Sequence, residues 1–179
     1  MFNTDNTILI AIDFQEKLVR AMYQKEKLIE NTQKLIKGLQ VLEVPVISTE
    51  QNPQGLGVTI PEIASLFPEY RALPKFSFSC CSDRDIARDI GNSGRSQVLI
   101  AGIEAHVCVY QTAMDLMRLG YEVQIVSDCV SSRSPENINV AIERLRSEGA
   151  KITSLEMALF ELLGKAEGPK FKEISKIVK

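Results

Sequence analysis

Two rhythms of apolar residues alternate along the chain. Strand-length apolar runs are followed by stretches in which apolar residues recur every three or four positions. Thr7-Ile8-Leu9-Ile10-Ala11-Ile12 is unbroken and ends on a carboxylate, Asp13. A continuous run of this kind suits a parallel strand buried on both faces. Leu28, Ile29, Thr32, Leu35, Ile36, Leu39 and Leu42 then fall on one face of a helix. Val44-Pro45-Val46-Ile47-Ser48-Thr49 predicts a second strand, with Pro45 near its start, where a lost N–H is tolerated. From Glu50 to Ser82 the pattern dissolves, with Gly and Pro at intervals. A long irregular stretch in a compact domain is usually functional.

The rhythms then resume. Ser82 is placed to cap a short helix carrying Ile86 and Ile90. Gln97–Gly102 predicts a third strand, followed by a helix with Val109, Thr112, Ala113, Leu116 and Met117 on one face. Gly120 suits the position just past that helix. Tyr121–Val126 predicts a fourth strand ending before Asp128. Ser134-Pro135 reads as an N-cap and first helical residue, opening a helix that buries Ile138, Ala141, Ile142 and Leu145 and ends at Gly149. A short strand at Lys151-Ile152-Thr153 and two helical segments follow.

Strands alternating with helices predict an α/β fold. It has three layers, doubly wound, with a central mostly parallel sheet and helices on both faces. The 179 residues suit one domain spanning positions 1–179. Such sheets bind ligands beyond the carboxyl ends of their strands, where the strand order reverses. That rule selects Asp13, Glu50, the Gly102–Cys108 segment and Asp128.

Composition removes several function classes. A formal net charge of -2 without a dense Lys/Arg cluster argues against nucleic acid as a partner. No apolar run approaches the roughly 20 residues of a membrane span, and no basic segment precedes the first apolar stretch, so a cytoplasmic protein is expected. The 4 cysteines form no C-x-x-C pair, and His106 is the only histidine, so no metal site is expected.

Cys108 leads the chemical candidates. It lies in Gly102-Ile103-Glu104-Ala105-His106-Val107-Cys108-Val109, between a strand and a helix. A thiol at a helix N-terminus feels the positive end of the dipole, which lowers its pKa and favours the nucleophilic thiolate. Free N–H groups there could also hold an oxyanion. The other reading of Cys108 is a small buried hydrophobe. Asp13 reads as a general acid or base beside the thiol, or as a loop cap or a lysine's partner. A phosphoryl-transfer role would call for a second Asp two residues on, where Gln15 stands. Lys75, in Leu73-Pro74-Lys75-Phe76-Ser77-Phe78, could stabilise both a thiolate and a carboxylate, or be a surface lysine. The ring of His106 is expected to point away from the thiol, in a structural or rim role.

Taken together, Ala11-Ile12-Asp13-Phe14-Gln15, Lys75 and the Gly102–Val109 segment resemble the isochorismatase-like hydrolases. That superfamily includes nicotinamidases and carbamoyl-group amidohydrolases. Thr49–Gly57, Ser127–Ser134 and Phe171–Ile174 are similar to its isochorismatase-domain-containing subgroup, whose substrates are poorly defined. The resemblance implies a catalytic triad of Asp13, Lys75 and Cys108. It also implies a cis peptide at Ile103–Glu104 and an oxyanion hole from the Glu104 and Cys108 amides. Nicotinamidases carry Asp and His metal ligands after the second strand. Here Glu50-Gln51-Asn52-Pro53 has no histidine, so no metal or other cofactor is implied.

The expected activity is hydrolysis of a small amide or related acyl substrate through a thioester. A fold that has kept the pocket as a binding or regulatory module is the alternative. Phe14, Gln51, Phe76 and Phe78 are candidate pocket walls. The family's habit of assembling implies a homo-oligomer.

Overall fold

A computed structural model describes residues 1–179. Its sheet has six strands: β1 (Thr7–Ile12), β2 (Val46–Gln51), β3 (Ala72–Lys75), β4 (Gln97–Ile103), β5 (Glu122–Ser131) and β6 (Lys151–Thr153). They run in the order β3-β2-β1-β4-β5-β6 and pair in parallel throughout. Between β1 and β4 the strand order reverses, so the crevice beyond their carboxyl ends is the expected ligand position.

Alternation along the strands makes the layers. Leu9 and Ala11 of β1 face one cluster with Leu35, Ile36 and Leu39 of α2 (Lys25–Val41) and Leu159 of α8 (Leu155–Leu163). Ile174 of α9 (Gly168–Val178) joins it. Ile8, Ile10 and Ile12 face the other way, toward α5 (Arg84–Asn92), α6 (Tyr110–Arg118) and α7 (Pro135–Ser147). Strand residues are thus apolar on both sides because both sides are covered. The remaining helices, α1 (Glu16–Val19), α3 (Pro53–Leu56) and α4 (Pro61–Ala64), are single turns in the connections.

Several expected boundaries move. Ser134 caps α7 through the Asn137 amide, with Pro135 first in the helix, as the sequence predicts. Asp83 rather than Ser82 caps α5, because Cys80–Ser82 is drawn into a 3-10 turn. The irregular stretch after Glu50 contains β3, an edge strand whose Pro74 is tolerated because edge positions can forgo an N–H. β5 does not stop before Asp128. Its pairing with β4 jumps from Ile125 opposite Ile100 to Val130 opposite Gly102, so Val126–Cys129 bulge out and the strand resumes to Ser131.

Gly102 shows why β1 and β4 can sit so close at their ends. Its φ is +135°, and a Cβ there would stand 2.2 Å from the Ile12 carbonyl oxygen. Only glycine lacks the atom that would collide.

Candidate active site

Asp13 follows β1 directly, with a left-handed φ of 57°. Its amide donates to the Thr49 carbonyl at 3.2 Å, and Thr49 Oγ1 donates back to Asp13 Oδ1 at 2.8 Å. Lys75 ends β3, two strands away. Neighbouring strands are about 4.8 Å apart, a span that a lysine stem can cross. Its Nζ lies 2.7 Å from Asp13 Oδ2, and both side chains are 0% exposed. The contact is off the direction of an ideal hydrogen bond, so Oδ2 retains acceptor capacity.

The ammonium is otherwise well held. Nζ donates to Gln51 Oε1 at 2.7 Å, to the Phe78 carbonyl at 3.2 Å and to the Ser77 carbonyl at 3.4 Å. Burial is the largest single influence and works against its charge, but the Asp13 carboxylate leads a set of opposing influences that together outweigh it. The Cys80 and Cys108 sulfurs act in the same direction, and the Lys75 pKa is raised.

Cys108 lies in a π-helical turn, Ala105–Val109, that runs straight into α6. The charges of both Asp13 and Lys75 act on its sulfur. The residue is 6% exposed. The Ile103–Glu104 peptide is cis. The amides of Val107 and Val109 both close onto the Glu104 carbonyl.

One expectation is overturned. The helix terminus was expected to lower the Cys108 pKa, yet the thiol is pushed up to about 12. Burial is the largest cause, and the Asp13 carboxylate adds to it against the opposing pull of Lys75. Cys108 therefore rests as a thiol.

The expected pocket walls divide. Phe14 is only 2% exposed and packs into the α2-side core, so it offers no accessible wall. Phe76 and Phe78 are 75% and 52% exposed, and it is their carbonyls that serve the site. Gln51 reaches the ammonium. Glu50 Oε1 accepts from the Thr59 amide and hydroxyl, and Asp128 Oδ1 from the Leu155 amide, so both carboxylates hold loops. His106 Nδ1 meets Ser132 Oγ at 2.9 Å. The Glu104 side chain is paired with Arg133 at 3.0 Å.

Two neighbours escaped the sequence reading. Thr49 orients Asp13, a role foreshadowed by its register beside Ile12. Cys80 is fully buried near the ion pair, and its amide donates to Thr112 Oγ1 at 3.0 Å. Nothing local in Cys80-Cys81 signals that placement.

The isochorismatase domain model matches residues 7–157. The chain belongs to the isochorismatase family. It is 38% identical over 179 residues to a secreted isochorismatase effector of Phytophthora sojae, covering 97% of this chain and 85% of that one. It is 37% identical over 174 residues to human isochorismatase domain-containing protein 2, covering 97% and 83%. Among solved structures, one described as the MAR1 ribonuclease of Caenorhabditis elegans superposes with a TM-score of 0.92 at 35% identity, covering 99% of this chain and 91% of that one. The fold is thus an isochorismatase-family hydrolase fold. No helix in it is long and apolar enough to cross a membrane.

Proposed function

We propose that this protein is a cysteine hydrolase of small amide or related acyl compounds. The observation that carries this reading is the fully buried Asp13–Lys75 pair at 2.7 Å, at the reversal of strand order, with both of its charges acting on the Cys108 sulfur. Asp13 takes the thiol proton as sulfur attacks the substrate carbonyl. The Glu104 and Cys108 amides hold the oxyanion. As the C–N bond breaks, Asp13 delivers the proton to the leaving amine and a thioester remains. Asp13 then deprotonates a water that attacks the thioester, and the proton returns to the departing sulfur. Lys75 holds the carboxylate in place.

The full burial of the ion pair supports a small substrate. Four free cysteines suit a reducing, cytoplasmic setting. The exposed Phe76 and Phe78 rings beside the site suit burial against a second copy, consistent with a homo-oligomer, and sedimentation would decide that.

A panel of small amides and carbamoyl compounds, with intact-mass detection of the acylated enzyme, tests the reading. Turnover with an acyl adduct in the parent, both absent in Cys108→Ala, is the expected result. Turnover that survives Cys108→Ala would overturn it. Saturable binding without turnover would instead support the binding module. RNA belongs in the same panel because of the description the nematode structure carries.

A further inference from the structure

Two glutamine amides stand behind the ion pair. Gln15 is fully buried and grips the main chain of Gln51 from both sides. Its Oε1 accepts from the Gln51 amide at 2.7 Å, and its Nε2 donates to the Gln51 carbonyl at 2.9 Å. The same Nε2 donates to the Gly57 carbonyl at 2.6 Å. A side-chain amide thus does for the end of β2 what a neighbouring strand would do, and it pins the following loop.

The Gln51 side chain is therefore presented from a fixed base. Its Oε1 accepts from Lys75 Nζ at 2.7 Å, as close as the Asp13 contact, and its Nε2 donates to the Phe76 carbonyl at 2.8 Å. That second bond fixes which end of the amide meets the ammonium. An ammonium has only three N–H donors. The Asp13 Oδ2 contact lies off the hydrogen-bond direction, so Gln51 Oε1 and the carbonyls of Ser77 and Phe78 take the three. A donor spent on Gln51 is a donor that Cys108 does not receive.

We propose that Gln51 is a positioning residue that sets how much of the Lys75 charge reaches Asp13 and Cys108, with Gln15 as its anchor. The proposal rests on the cysteine-hydrolase reading above. Gln51 touches neither sulfur nor substrate in this role and acts through Lys75. Its neutrality matters as much as its reach, because a carboxylate in its place would hold the ammonium with a full charge.

The test reads Cys108 ionisation directly, without any substrate. The full-length protein is treated with iodoacetamide over a range of pH, and alkylation of the Cys108 peptide is followed by mass spectrometry. In Gln51→Glu the added negative charge should raise the thiol pKa by about one unit. Cys108 alkylation at fixed pH should then slow about tenfold. In Gln51→Asn the amide falls one methylene short of Nζ and frees an N–H for sulfur, so alkylation should quicken severalfold. A purely structural role would move both variants in the same direction. The proposal is overturned by that outcome, or by rates within twofold of the parent in both. Should Gln51→Glu fail to fold by circular dichroism, the direction of change in Gln51→Asn decides alone. Lys75→Met separates the two levels. If it leaves Cys108 ionisation unchanged, the Lys75–Cys108 coupling and with it the hydrolase reading fail. If it shifts the profile while the Gln51 variants do not, only the role of Gln51 fails.

Discussion

Lys75 Nζ and Asp13 Oδ2 lie 2.7 Å apart with neither side chain exposed to solvent. The two residues come from strands that are not neighbours, since β2 lies between β1 and β3. Removing two charges from water is expensive, and a buried pair of similar volume to apolar residues rarely gains net stability. The pair is held in place by Thr49 on the carboxylate and by Gln51 and two carbonyls on the ammonium. A costly arrangement held from so many sides marks a candidate functional site.

Breaking one half of the pair should therefore be worse than removing both. Lys75→Met leaves an uncompensated buried carboxylate, and Asp13→Asn leaves an uncompensated ammonium. Each should lower unfolding stability by about 3–5 kcal/mol. The double variant Asp13→Asn/Lys75→Met should lose less than the sum of the two. Urea denaturation of all four proteins gives the coupling energy. Simple additivity would mean that the pair is not coupled in solution.

Cys108 should show no inflection near the ordinary thiol value of about 8.5. Its thiol is pushed up to about 12, so the thiolate fraction grows tenfold per pH unit through pH 9–10. Its alkylation rate should follow that slope without levelling. A plateau reached by pH 9 would show a far more acidic thiol than the buried carboxylate beside it permits.

Much of this was legible in the chain and some was not. Asp13 at the end of an apolar run and Cys108 between strand and helix are local patterns, and the strand–helix alternation brings both to one sheet edge. β3 was not legible. Ala72-Leu73-Pro74-Lys75 is short, carries a proline and lies at the sheet edge, so it lacks the continuous apolar signal of a central strand. Yet it is the strand that delivers Lys75, which its local pattern left open between a site residue and a surface lysine and which the family resemblance implied for the triad. The end of β5 was hidden because Ser127 and Asp128 sit in a bulge that interrupts the apolar pattern. The thiol's raised pKa was missed for a different reason. A helix terminus can be read locally, whereas burial and a carboxylate arriving from another strand are tertiary facts.

The same raised thiols predict a loss of stability in alkali. Cys80 and Cys108 are pushed up to about 12 and Cys81 to about 11, each chiefly by burial, and burial also holds Cys129 well above its ordinary value. Below pH about 8.5, folded and unfolded chains alike carry protonated thiols, and this contribution is complete. Between about 9 and 12 the unfolded chain loses those protons while the folded chain keeps them. Stability then falls by up to about 1.4 kcal/mol per pH unit for each such group. Melting curves at intervals from pH 8 to 11 should show a steepening drop in Tm. Cys80→Ala/Cys129→Ala should start from a lower Tm at pH 8 and fall less steeply. Equal slopes for the two proteins would remove the thiols as the cause.

Gly102 gives the sharpest structural forecast. A methyl group there would meet the Ile12 carbonyl oxygen at 2.2 Å and Ile12 Cβ at 2.7 Å, at a φ of +135° that side chains rarely adopt. The obstacle is main chain in the central strand, so it cannot swing aside. Moving it would separate β1 from β4 at the place that carries Asp13 and the cysteine turn. Gly102→Ala should cost at least about 3 kcal/mol and, where it folds, should change Cys108 alkylation. Gly91→Ala is the matching control. Gly91 lies inside α5, and an added Cβ meets nothing within 4 Å. There the methyl group should stabilise by about 0.5–1 kcal/mol by limiting the unfolded chain and favouring the helix. Urea midpoints moving in opposite directions for these two variants are expected. A mild effect at Gly102 would mean that β1 and β4 lie farther apart at their ends than the structure places them.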